Sequence, residues 1–260
     1  MSDQNTSNVE STRDVLRVEP ITDPADFDRL FQITALAFGH QVNDGVWCAM
    51  NPGWDTPEGQ KSGSARFAAR WSSTTTDRHG RPNIVFLKAV VPRPEGSAAG
   101  DEEIAGVAIW VQASQVAGYG DAPVVDIGET MDLEALIPGK PAEQRYLRQV
   151  VFGLQRRRIE YVREIAGTDS PAVLVLDLCA VDPAFQRRGV ATRLVEWGLR
   201  EARERGGLEA VLEASSMGRH VYRKLGFEQD GGEFVYKVDE EFRDRERPSN
   251  VFMRTGRSAQ

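Results

Sequence analysis

Residues 172–181 read AVLVLDLCAV, with one charge in the whole run. A stretch this apolar and this short is a strand covered on both faces, because a half-exposed strand would alternate with polar residues. After a loop at 183–189, Val190, Ala191, Leu194, Val195, Gly198, Leu199 and Ala202 recur at helical spacing, and Gly206-Gly207 stops the helix. A strand at 208–214, a short helix at 215–225 ended by Gly226, and strands at 227–238 and 250–254 complete this half. Strand, helix, strand in this order is an α/β pattern with a parallel crossover.

The first half is less regular. Residues 1–13 read as a disordered tail and 16–21 as a strand. Asp23 is placed to cap a helix with Pro24 at its first position, and Phe27, Leu30, Phe31, Thr34 and Phe38 share a face. Residues 39–57 are rich in Gly, Pro and Asn but carry Trp47 and Trp54. A helix is expected at 60–73, then a hairpin of 83–91 and 103–111 joined by a turn at 92–100. The stretch 114–140 reads as a loop holding Asp121, Asp126, Glu129, Asp132 and Glu134 and no base before Lys140. Residues 141–165 return to helical period.

Composition excludes several classes. The net charge of −7 argues against non-specific nucleic-acid binding. No apolar run reaches the ~18 residues of a membrane span, and the polar first residues show no secretory signal. Two cysteines, Cys48 and Cys179, make no disulfide framework, which points to a reducing, cytoplasmic location with a nuclear one left open. Zinc, metalloprotease, serine-hydrolase and P-loop signatures are absent, so no metal is expected. Against the acidic total, 187–205 holds six arginines and three glutamates, a basic patch suited to a small anion.

The loop Gln186-Arg187-Arg188-Gly189-Val190-Ala191 opens the arginine-rich helix directly after the buried strand. Helix N-termini present unpartnered N–H groups and partial positive charge, and Gly189 lets a phosphate approach the backbone. One strand further on stands Tyr222-Arg223-Lys224-Leu225-Gly226-Phe227. With Cys179-Ala180-Val181-Asp182-Pro183, these segments resemble the acetyl-CoA-binding core of the GNAT superfamily of N-acetyltransferases. Cys179 replaces the usual leucine, and Ser215 stands where many members have Asn. The first half resembles the fungal-type branch more loosely, through Asp23-Pro24-Ala25, Ala35 to Phe38 and Ala108-Ile109-Trp110.

The resemblance implies a mixed α/β fold, a central twisted sheet of about seven strands with helices on both faces and a helical insertion at about 112–168, forming one acyl-CoA N-acyltransferase domain over 14–260. It implies acetyl-CoA as co-substrate, held by the backbone of Cys179 and Val181, by Gln186, Arg187, Arg188, Gly189, Val190, Ala191 and Thr192, and by Ser215 and Gly218. The acceptor would be a small-molecule or peptide primary amine attacking directly in a ternary complex, with no nucleic acid or membrane partner, in a monomer or homodimer. Tyr222 matches the position that assists the leaving thiolate. Asp177, by period two on the face of Cys179 and Val181, is a candidate base with a pKa raised by burial. Trp47, Trp54 and Trp71 lie where the family builds its acceptor wall, and the acidic 114–140 segment is placed to form a rim that attracts a cation. His40, His79 and His220 read as surface residues. The alternatives weighed against an enzyme are a catalytically idle acyl-CoA-binding sensor or scaffold on the same fold, and a nucleic-acid binder using Arg156-Arg157-Arg158 and the arginine-rich helix.

Overall fold

A computed structural model describes residues 16–92 and 102–256. The expected tail at 1–13, and the expected turn at 92–100 beyond Pro92, lie outside the described residues. Seven strands are described: β1 (Arg17–Pro20), β2 (Ile84–Pro92), β3 (Glu102–Ser114), β4 (Ala172–Val181), β5 (Glu209–Ser215), β6 (Glu228–Glu233) and β7 (Asn250–Arg254). They form one sheet in the order β1-β2-β3-β4-β5-β7-β6. The helices are α1 (Asp26–Thr34), continued by a π-helical stretch (Ala35–Gln41), α2 (Gly45–Met50), α3 (Pro57–Ser72), α4 (Leu133–Leu136), α5 (Pro141–Glu164), α6 (Val190–Glu204) and α7 (Arg219–Lys224). This is the mixed α/β, seven-stranded GNAT-like architecture. No described helix is long and apolar enough to cross a membrane.

Among the described residues β4 and β5 are the parallel pair, joined by α6 as crossover, and the other neighbours run antiparallel. The last two strands exchange places, because β7 inserts between β5 and β6. One face of the sheet buries Leu174, Leu176 and Trp110 against Val190, Leu194, Val195 and Ala202 of α6. On the other face α1 packs Phe27 and Leu30 on Phe86, Ile109 and Leu178, and α5 packs Tyr161 and Val162 on Val173, Val175 and Phe252. Cover on both faces explains why β4 is apolar but for Asp177.

Two expected loops contain helix. Asp44 accepts from the N–H groups of Val46 and Trp47 and so starts α2 inside 39–57. Asp132 accepts from Ala135 N–H and starts the single turn of α4 inside 114–140. Both are short polar side chains satisfying orphan helix donors, a local signal hidden by the Gly and Pro around them. Asp23 accepts from Ala25 N–H, but α1 itself begins at Asp26.

Candidate active site

β4 and β5 pair over Val173 to Leu176 and Glu209 to Leu212 and then part. Beyond that point β5 continues with β7 on its other edge, while β4 continues with β3. Between Asp177–Val181 and Glu213–Ser215 the two parallel strands leave a splay whose facing backbone groups have no ladder partner. Cys179 and Val181 lie on the β4 side of it and Ser215 at the end of the β5 side.

The loop 186–192 stands at the mouth. Arg187 and Gly189 both have positive φ, +62° and +85°, and Gly189 is the N-cap of α6. A Cβ placed on Gly189 would meet nothing within 4 Å, so the space before the helix N-terminus is open. Val190 is buried, whereas Ala191 and Thr192 are half-buried in the first turn. Arg188 lies over the Phe185 ring, 5.3 Å from its centroid. Gln186 exchanges two amide hydrogen bonds with Gln41 (3.0 and 2.7 Å) and also donates to the Val181 carbonyl at 3.2 Å. Asp182, capping Ala184 N–H, is tied to Arg29 of α1 at 2.6 Å. The basic run, by contrast, is dispersed around the helix: Arg193 pairs with Glu196, and Arg205 is buried against Glu201 and Gln112. An unpaired strand edge leading to an open helix N-terminus with two arginines fits an extended arm that leads to a diphosphate, as the pantetheine arm of a CoA thioester does.

Tyr222 is half-buried and meets Phe227 edge-on, with ring centroids 6.0 Å apart. Its ring lies over Gly218, where a Cβ would come within 2.5 Å of Cε2. Burial, with a smaller contribution from Cys179, holds its phenol well above the usual range, so it stays a proton donor. Burial also pushes the Cys179 thiol up to about 12, so it is not a thiolate nucleophile at neutral pH.

Asp177 departs from the expectation in two ways. The register jumps from Ile109↔Leu178 to Trp110↔Leu176, which leaves Asp177 as the extra residue of a β-bulge. The bulge resets the alternation: Leu174, Leu176, Cys179 and Val181 all face α6, and Asp177 turns to the opposite side. There it accepts from Arg158 of α5 at 2.7 Å and pairs with Arg70 of α3 at 2.9 Å. Burial alone would raise its pKa, but the two guanidinium groups outweigh it and hold the carboxyl well below the usual carboxylate range. A carboxylate so held is a poor base near neutrality. Arg158 in turn forms a two-pronged bond to Glu213 of β5, whose side chain is 5% exposed. Arg70, Asp177, Arg158 and Glu213 thus alternate in sign across the start of the splay. Arg158 entered the sequence reading only within the Arg156-Arg157-Arg158 run, and Glu213 not at all, because the Arg158 partners are 19 and 55 positions away.

In the acidic segment Asp126 pairs with Arg148, whereas the side-chain bonds of Asp121, Asp132 and Glu134 come from neutral donors that leave their charge in place. Asp121 accepts from Thr75 and Asn83, Asp126 from Gly128 N–H and Arg148, Asp132 from Ala135 N–H, and Glu134 from Gly139 N–H and Gln144. Trp47 of α2 and Trp54 meet edge-on with ring centroids 5.8 Å apart, but Trp71 packs on the core against Phe27.

Residues 150–227, from mid-α5 through β4, α6, β5 and α7, match the Acetyltransferase (GNAT) family model. No curated protein matches the chain in sequence. Among solved structures, arylalkylamine N-acetyltransferase 2 from Aedes aegypti superposes with a TM-score of 0.57 at 19% identity, covering 92% of this chain and 97% of that one. The polyamine N-acetyltransferase of Drosophila melanogaster gives 0.54 at 14%, covering 92% and 98%. At these identities the likeness is one of fold. The chain has the fold of the GNAT acetyltransferases, and the segment that matches their family model is the one that builds the splay and the 186–192 loop at its mouth.

Proposed function

We propose that this chain transfers an acetyl group from acetyl-CoA to a primary amine by direct attack in a ternary complex. The observation that carries this is the splay of β4 from β5 beyond Leu176 and Leu212, with the open N-terminus of α6 at its mouth. In this reading the backbone of Cys179 and Val181 holds the pantetheine arm as an added strand would be held. The amides of residues 186–192, with Arg187 and Arg188, hold the diphosphate, and Ser215 and Gly218 border the other wall. Acetyl-CoA supplies an activated acyl carbon. A backbone N–H at the splay polarises its carbonyl, and Tyr222 hydrogen-bonds the sulfur as negative charge develops there.

Direct attack is favoured over an acyl-enzyme because the Cys179 thiol, pushed up to about 12, stays protonated. Asp177 is a positioning residue that fixes Arg158 and so Glu213, not the base. Structural neighbours named for arylalkylamines and polyamines make small amines the first class to try. The fungal-type assignment rests on Asp23-Pro24-Ala25, Ala35 to Phe38 and Ala108-Ile109-Trp110.

Acetyl-CoA at about 100 times its Kd should stabilise the protein by ~2.7 kcal/mol. A bulky residue at Gly189 should remove that shift while the apo protein still melts cooperatively. An unchanged shift would count against the diphosphate assignment. Stabilisation without thiol release across an amine panel would make the protein an idle acyl-CoA-binding module.

A further inference from the structure

The place where β4 and β5 part follows from their register. Val175 stands opposite Val211 and Leu176 opposite Leu212, so a continued ladder would set Asp177 opposite Glu213. Val175 and Val211 are buried beneath α5, and the two carboxylates turn to the same helix. The pairing on this face is therefore apolar up to Val175 and Val211 and doubly acidic at the next position. Like charges directly opposite each other disfavour strand pairing. These two are also largely out of water, with side chains 15% and 5% exposed.

Arg158 stands between them. It lies one helical turn before Tyr161 and Val162, which cover Val173 and Val175, so α5 delivers a guanidinium where the next pair would begin. Nη1 donates to Asp177 Oδ1 at 2.7 Å. Nε donates to one oxygen of Glu213 at 2.9 Å, and Nη2 donates to the other. Burial opposes the charge on Arg158, but Glu213 and Asp177 outweigh it and keep the guanidinium charged. The fork is planar and rigid. Gripping one carboxylate by Nε and Nη2 and the other from Nη1, it holds them further apart than the ~4.8 Å between paired strands. Past this position β4 runs on with β3 and β5 with β7. Arg70 takes the second oxygen of Asp177 at 2.9 Å, so two cations balance two anions. The group therefore acts by its shape and not by drawing a charged substrate.

We propose that Arg158 is a positioning residue for acetyl-CoA: clamped between Asp177 and Glu213, it is the spacer that ends the β4–β5 ladder and sets the width of the splay. Its role toward acetyl-CoA rests on the acetyl-transfer reading above, whereas the spacing of the strands can be followed with the protein alone. Arg158 acts through the strands. It fixes where the facing backbone groups of Cys179 and Val181 become free, and so where a thioester held by them lies relative to Tyr222. Without the spacer those groups would pair with the neighbouring strand and not with the pantetheine arm.

The test is the triple variant Arg158→Met/Asp177→Leu/Glu213→Leu, because apolar residues of similar volume can replace a buried ion triad without unfolding the protein. Arg70, 38% exposed, is free to turn to water. The variant should melt cooperatively. Hydrogen exchange at the amides of residues 177–181 should slow by about tenfold or more as the ladder extends. At saturating amine, kcat/KM for acetyl-CoA should fall about 100-fold, the scale of a misplaced reacting group. 3′-Phospho-ADP, the nucleotide end of CoA, needs only the 186–192 loop and should shift the melting temperature as it does in the wild type. Arg158→Lys, which keeps the charge but not the fork, should raise the KM for acetyl-CoA more than it lowers kcat. A folded triple variant with wild-type exchange, or with slowed exchange and wild-type kinetics, overturns the spacer role and leaves acetyl transfer standing. Should the triple variant not fold, Arg158→Lys decides, and a wild-type KM there overturns the proposal. A wild type that acetylates no amine overturns the acetyl-transfer reading and the positioning role with it.

Discussion

Tyr222 and Asp177 are both half-buried polar groups at the splay, and their surroundings push them to opposite ends of the titration scale. Burial keeps the Tyr222 phenol protonated, so its use is as a donor to sulfur at the moment charge develops. Tyr222→Phe should lower kcat more than it changes the KM for acetyl-CoA, and steady-state kinetics of the two forms would show it. Asp177 is held ionised by Arg70 and Arg158. Asp177→Asn leaves Arg158 buried with one carboxylate fewer, a loss of about 3 kcal/mol in thermal or denaturant unfolding. A depressed carboxyl contributes stability that is complete above its unfolded value of ~3.9 and fades as pH falls below it. The gap between wild type and Asp177→Asn should therefore narrow below about pH 4, while the pH–rate profile near neutrality keeps its shape. A changed profile would return Asp177 to proton transfer.

At the scale of elements, the bulge in β4 and the docking of α6 set the site. The bulge at Asp177 moves Cys179 and Val181 onto the face of α6 and sends the carboxylate to α3 and α5. α6 reaches the sheet through Gly198, where a Cβ would stand 2.0 Å from Trp110 Cε2. Trp110 is fully buried, and its indole N–H points to the Leu194 carbonyl at 3.4 Å. Gly198→Ala must push α6 off the sheet or rotate the indole. A cost of about 1–3 kcal/mol is expected, with weaker acetyl-CoA binding because the helix N-terminus moves with the helix. Thermal melts with and without acetyl-CoA separate the two effects, and a variant as stable as wild type would show that the contact yields.

For the molecule as a whole, the ion pairs bind segments distant in sequence. Arg29 joins α1 to Asp182, Arg158 joins α5 to β4 and β5, and Arg245 joins the segment before β7 to Glu143 of α5. Asp77 is drawn down to about 2: burial opposes ionisation, but two backbone N–H groups and Arg81 outweigh it. Because carboxyls such as Asp77 and Asp177 are depressed on folding, stability should be flat above about pH 5 and fall steadily as pH drops through 4 toward 2. Melting temperatures from pH 2 to 8 test this, and a melting point unchanged at pH 3 would refute it.

The sequence by itself determined what depends on neighbours along the chain. The apolar run of β4, the helical spacing of α6, the Gly206-Gly207 and Gly226 stops and the hairpin of β2 and β3 are all local patterns, and each element formed where its pattern lay. The loop of residues 186–192 was legible for the same reason, since a helix N-terminus after a buried strand is built from consecutive residues. What the tertiary structure decided is what depends on partners far away. The face of Asp177 followed from a register jump against β3, which no alternation within β4 could reveal. Its charge state followed from Arg70 and Arg158, because a buried carboxyl is raised or lowered according to whether a cation meets it. In the acidic run at 114–140 only Asp126 found a cation, Arg148, and Asp132 and Glu134 became ligands of backbone N–H groups. Patterning fixes which residues are inside, whereas electrostatics depends on distances that only the assembled fold supplies.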